Sequence, residues 1–156
     1  HADRVGHGTH LYATSQVGDE EDGERYVSQL VEYIGDRRIL LEVCVTSNLQ
    51  TMPEIKRVED HPLGQMVRDR LSMTLCTDNR LISRTTVSEE LEKVCAAFNF
   101  TASEIRNMIL HGFKRSFFPG TYIEKRQYVR QVIDVYDRVA AESGLPRVIR
   151  GREGAA

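Results

Sequence analysis

The sequence predicts an α/β fold with a parallel sheet, and three observations carry that reading. Apolar runs of strand length alternate with segments of helical period, in the order strand, helix, strand, helix, strand, then several helices. The connections between them are short, which favours right-handed βαβ units. The polar groups able to do chemistry gather just past the carboxyl ends of the expected strands, the rim where parallel α/β folds assemble their sites.

Taken in order, Arg4-Val5-Gly6-His7-Gly8 reads as a strand end running into a turn. Asp19 to Glu24 is an acidic run, read as a solvated loop leading into a helix, where carboxylates suit an N-terminus. From Arg25, the pairs Tyr26/Val27, Leu30/Val31 and Tyr33/Ile34 recur at helical spacing, and Gly35 is expected to stop them. Ile39 to Val45 is apolar apart from Glu42 and polar Thr46-Ser47-Asn48 follows, which suits a strand covered on both faces. His61-Pro62 precedes a short helix carrying Leu63, Met66 and Val67, and Leu71 to Cys76 supplies a third strand. Thr86-x-x-Glu89 and Thr101-x-x-Glu104 have capping-box spacing. They open helices with apolar stripes at Leu91, Val94, Cys95, Phe98 and at Ile105, Met108, Ile109, Phe113. Pro119-Gly120 separates a long final helix with a core face of Val129, Val132, Ile133, Tyr136 and Val139, closed by Gly144. Residues 1–146 are expected to form the folded part, with 147–156 a frayed polar tail.

The chain has 156 residues, 40% hydrophobic and 28% charged, the composition of a globular domain. Its 21 basic and 23 acidic residues give a formal net charge of −2, with no basic excess of the kind that nucleic acid or anionic membrane rewards. No apolar stretch approaches the roughly 20 residues of a bilayer span, and no signal-peptide h-region opens the chain. Cys44, Cys76 and Cys95 are odd in number and lack C-x-x-C spacing, so they read as reduced, mostly buried thiols of a cytoplasmic protein.

Chemistry concentrates at three strand ends. His7 lies between two glycines, where the backbone can turn sharply and approach a ligand; a histidine capping a turn is the other reading. His7 and His10 have H-x-x-H spacing, although side chains at a strand end need not converge on one metal. His61 and His111 read as structural. Asp78-Asn79 follows an apolar strand, so a carboxylate able to bind a divalent metal stands beside an amide able to hydrogen-bond a substrate. An Asx turn between strand and loop fits the same two residues.

These segments together resemble the adenosine deaminase family. Arg4-Val5-Gly6-His7-Gly8-Thr9-His10, then Cys44-x-Thr46-Ser47-Asn48-Leu49-Gln50-Thr51, then His61-Pro62, then Thr77-Asp78-Asn79 stand in that family's order and at its separations. The resemblance runs from residue 1 to about 143. It implies the C-terminal portion of a (β/α)₈ TIM-type barrel, whose sixth, seventh and eighth strands would be the three expected here. It also implies a site with one catalytic zinc that hydrolytically deaminates a purine nucleoside at C6, releasing ammonia. By that resemblance His7 matches the catalytic histidine beside the zinc-bound water, Asp78 matches the carboxylate zinc ligand, and Asn79 occupies the position that hydrogen-bonds purine N7. His10 and Thr46-Ser47-Asn48 fall to scaffold or supporting roles.

The chain departs from the family pattern at two positions. Asn79 stands where many members have aspartate; purine N7 only accepts hydrogen bonds, and an amide donates at any pH whereas a carboxyl must be protonated first. Val45 replaces a common proline. The family's other zinc ligands, an His-x-His pair and a further histidine, and its His-Ala-Gly-Glu segment with the proton-donating glutamate, do not occur in these 156 residues. Since a catalytic zinc needs about three protein ligands, the expectation is a fragment that begins part-way along the barrel at His1 and whose partner is the missing N-terminal part. Adenine, aminofutalosine or an adenine nucleotide could replace adenosine as substrate. A half-barrel interaction module without catalysis, obliged to cover a strand edge, is the competing reading.

Overall fold

The computed structural model describes residues 2–17 and 20–145. The expected tail at 147–156 lies outside the described residues. The chain forms two compact units, dividing after Asn99.

The first unit holds a three-stranded parallel sheet in the order β1 (Arg4–Gly6), β2 (Leu40–Val43), β3 (Met73–Leu75). Val5 pairs with Leu41, and Leu41 with Met73. Leu40, Leu41 and Val43 are all but fully buried, as expected of a central strand covered on both faces. Glu42, the one charge in that run, shares a face with Arg4 two pleats along the neighbouring strand and accepts a hydrogen bond from its Nε at 2.7 Å.

Helix α1 (Glu20–Arg37) begins within the acidic run, so most of the expected loop is helix, with Asp22 in the first turn at the positive end of the dipole. Gly35 does not stop it. The helix continues to Arg37, and Arg38 takes the left-handed φ of 50° that ends it. α2 (Val45–Thr51) starts directly after β2, and Thr46, Ser47 and Asn48 are buried in it rather than lying in a turn. The reason is tertiary: Glu90 of α5 (Val87–Ala97) accepts the Thr46 backbone N–H at 3.0 Å, satisfying a first-turn donor that has no acceptor within α2.

α3 (Leu63–Arg68) follows Pro62 as expected. A short helix, α4 (Arg80–Ser83), follows β3 and is capped by the Asn79 side chain, whose oxygen accepts from Leu81 N at 3.1 Å and Ile82 N at 3.2 Å. α5 opens with the expected capping box, Thr86 N donating to Glu89 at 2.7 Å and Glu89 N to Thr86 at 3.2 Å. Cys95 is exposed despite its place in the apolar stripe. One helical step of about 100° from fully buried Val94 turns it outward.

The second unit pairs α6 (Ala102–Lys114) with α7 (Tyr122–Glu142). The box at Thr101/Glu104 is present, and Thr121/Glu124 forms another that the spacing T-x-x-E also encodes. Buried Arg106 holds both oxygens of Asp137 from one Nη, at 2.9 and 3.3 Å. Of the expected α7 core face, Ile133 is buried while Val139 is half exposed. α7 is about 30 Å long against about 20 Å for α6, so its stripe outruns the helix paired with it.

Candidate active site

All three sequence-predicted site residues sit at carboxyl ends of strands in the first unit. His7 follows β1, and its backbone N–H continues the pairing by donating to Glu42 O at 2.8 Å. It then takes φ 60°, and Gly8 takes φ 68°. That left-handed φ favours glycine, and a β-carbon on Gly8 would also press on the end of the Met66 side chain at 3.2 Å. Asp78, after β3, adopts φ 54°, a left-handed conformation that lifts an exposed side chain off the strand direction. Asn79 follows it.

The residues joining these ends are consecutive on α2, the helix that leaves the central strand. Ser47 Oγ donates to Asp78 Oδ2 at 2.7 Å, and Asn48 Nδ2 lies 3.0 Å from His7 Nδ1. One helical turn therefore grips the carboxylate past β3 and the imidazole past β1. Asn48 Oδ1 in turn lies 3.0 Å from His61 Nε2, and His61 Nδ1 accepts the Leu63 backbone N–H at 3.0 Å. Burial pushes His61 down to about 4, so it is neutral near pH 7; the nearby Glu90 charge opposes the shift and His7 adds to it.

α2 itself is anchored from below. Glu90, with no exposed surface, accepts from Thr46 N at 3.0 Å, from the Thr46 hydroxyl, and from Thr85 Oγ1 at 2.8 Å. Lys93 Nζ reaches Thr46 Oγ1 at 2.6 Å and lies 3.7 Å from Glu90. A carboxylate buried without surrounding donors would be very costly; here hydroxyls, a backbone amide and an ammonium meet it.

A family model described as adenosine deaminase matches residues 1–135. The chain belongs to the adenosine deaminase family. It is 37% identical over 132 residues to adenosine deaminase 1 of Streptomyces coelicolor, covering 85% of this chain and 32% of that protein. With the adenosine deaminase of Mycobacterium marinum it shares 33% identity over 132 residues, covering 85% and 35%. The chain thus spans about a third of the length of the curated relatives it matches. Among solved structures, adenine deaminase from Arthrobacter aurescens aligns with a TM-score of 0.66 at 19% identity, covering 86% of this chain and 36% of that one. The apo N6-methyl-AMP deaminase of Arabidopsis thaliana aligns at 0.64 and 21%, covering 88% and 35%. The fold is accordingly a portion of a (β/α)₈ barrel, with the family's three motif-bearing strands side by side.

The family implies a metal, and Asp78 suits one ligand position in it. Its carboxylate is exposed at the strand ends, and Ser47 orients one oxygen in the way that outer hydrogen bonds orient metal-binding carboxylates. Among the described residues no group of three or more His, Cys, Asp and Glu side chains could hold an ion. The described residues therefore fit a share of a metal site and not the whole of one. His10, the other half of the H-x-x-H spacing, is exposed in the turn after His7. No helix among the described residues is long and apolar enough to cross a membrane.

Sequence reasoning took His61 as structural and left Ser47 and Asn48 in supporting roles, and it passed over Glu90. A polar trio directly after an apolar strand was the available signal for the first two. Glu90 stands four residues before Val94, on the side of the apolar stripe, whereas Glu89 closes the capping box and Glu92 is exposed; that spacing was the available signal for its burial.

Proposed function

We propose that this chain forms part of a zinc-dependent hydrolase that converts adenosine to inosine and ammonia at purine C6. The observation that carries the reading is the α2 clamp, in which Asn48 meets His7 and Ser47 meets Asp78. That clamp holds an imidazole past β1 and a carboxylate past β3, on either side of the central strand that α2 leaves, the two groups a hydrolytic attack needs from this side of a barrel.

When bound, zinc supplies Lewis-acid activation of water near neutral pH. Asp78 would hold the metal, with remaining ligands from outside these 156 residues. His7 holds a proton at the attacking oxygen. Asn79 binds the purine: its side-chain oxygen is committed to capping α4, which leaves its NH₂ to donate to N7. The cap thereby sets the amide's orientation.

The test is ammonia release by the full gene product, offered adenosine, adenine and AMP as competing substrates. Activity on adenosine that is lost on chelation, regained with zinc and abolished by Asp78→Ala is expected. Full activity in Asp78→Ala overturns the ligand assignment, and preference for adenine or AMP overturns the substrate.

A further inference from the structure

Proton positions along the chain His7–Asn48–His61 are dictated from its far end. Leu63 opens α3, so its backbone N–H has no acceptor within the helix and instead meets His61 Nδ1 at 3.0 Å. A backbone amide can only donate, so Nδ1 of His61 is an acceptor. His61 is 3% exposed and neutral, so its single ring proton is on Nε2. That N–H donates to the atom of Asn48 3.0 Å away, which must therefore be the amide oxygen. The Asn48 NH₂ is then the group 3.0 Å from His7, and it donates to His7 Nδ1.

We propose that Asn48 and His61 are positioning residues that fix the tautomer of His7, so that neutral His7 carries its proton on Nε2. The inference rests on the reading of His7 as catalytic and decides which way it works. With Nδ1 occupied as an acceptor, Nε2–H is the group left to meet a reacting oxygen, so neutral His7 donates a hydrogen bond there. The opposite tautomer would turn Nδ1–H against the Asn48 NH₂. Rotating that amide would bring its NH₂ against His61 Nε2–H, and moving the His61 proton would bring it against Leu63 N–H. That last donor is backbone and cannot be reversed. Asn48 is 2% exposed, so no water is at hand to relieve such a clash, and a buried polar group facing a like partner is costly.

The test reads the proton directly. In the full gene product labelled with ¹⁵N-histidine, spectra at alkaline pH, where imidazoles are neutral, report which nitrogen of His7 is protonated. The expected result is Nε2–H in the parent. In Asn48→Asp the proton should move to Nδ1, because a carboxylate accepts from both His61 Nε2–H and His7 Nδ1–H. The same variant should lose about 10–100-fold in kcat, the usual scale for residues that orient a reacting group, with KM changed less than about twofold because Asn48 touches no substrate. A parent spectrum with the proton on Nδ1 overturns the inference and requires no variant to fold. So does a folded Asn48→Asp whose tautomer is unmoved, or one with a moved proton and parental kcat. Finding Nε2–H in a protein that does not deaminate purines would overturn the proposed function and leave the tautomer assignment standing.

Discussion

Ser47 Oγ donates a 2.7 Å hydrogen bond to Asp78 Oδ2 across the carboxyl ends of β2 and β3. It joins a residue that the sequence places merely after one strand to the carboxylate proposed above as a metal ligand. Ser47 is buried and Asp78 is exposed, so the packed residue orients the one at the surface. Ser47→Ala removes that restraint without adding bulk, and a loss of about 10–100-fold in zinc affinity is expected. Competition against a chromophoric chelator measures it. Unchanged affinity would show that Asp78 needs no orientation from α2.

Asn79→Asp keeps a good helix N-cap, so α4 should persist. A carboxyl donates to N7 only while protonated, and an aspartate ordinarily ionises near about pH 4. KM for adenosine in the variant should therefore rise with pH, while the parent's stays level across the same range. Parallel profiles in the two proteins would sink the assignment of Asn79 to the purine.

Acid should weaken the fold through His61. Burial holds its pKa near 4 in the folded chain, against about 6.5 unfolded. Above 6.5 both states are neutral and the stability is intact. Below it the unfolded state takes up a proton that the folded state refuses, so stability falls as pH drops from 6.5 toward 4, by a total of about 3 kcal/mol. Urea midpoints between pH 6.5 and 5, above most carboxylate titration, isolate this effect; His61→Gln should flatten the slope there.

Glu90→Gln is nearly isosteric yet replaces an acceptor oxygen with a donor among three donors, Thr46 N, Thr46 Oγ1 and Thr85 Oγ1. The backbone N–H cannot rotate and claims the one remaining oxygen, so the NH₂ faces both hydroxyls and the Lys93 ammonium, and rotation of the hydroxyls relieves only part of that mismatch. A loss of about 1–3 kcal/mol is expected, read as a lower urea midpoint at unchanged m. Stability equal to the parent's would mean that the amide oxygen keeps the Thr46 N–H and that both hydroxyls turn to accept from the NH₂ without cost.

Several features were legible in one dimension because their causes are local. The apolar run through Leu40, Leu41 and Val43 specifies a doubly covered strand, and T-x-x-E spacing specifies helix starts at Thr86 and Thr101. His7 and Asp78 were found by motif order, and both do stand at strand ends. Other features were not legible. Gly35 looked like a helix stop and lies inside the helix, whose end comes where Arg38 takes a left-handed φ. Thr46-Ser47-Asn48 reads only as the polar stretch after a strand and is helix, because the group satisfying its first N–H comes from a carboxylate 44 residues away.

By itself, then, the sequence determined the alternation of strand and helix, the family, and the identity of the strand-end imidazole, carboxylate and amide, all of which depend on periodicity and motif order. Tertiary structure alone decided the pairing of Asn48 with His7 and Ser47 with Asp78, the partners of Glu90 and the direction of every donor along the path from Leu63 to His7. Hydrogen bonds between residues 13 to 44 positions apart leave no periodic trace in the chain. Their direction follows from a backbone N–H that only the folded chain brings to His61.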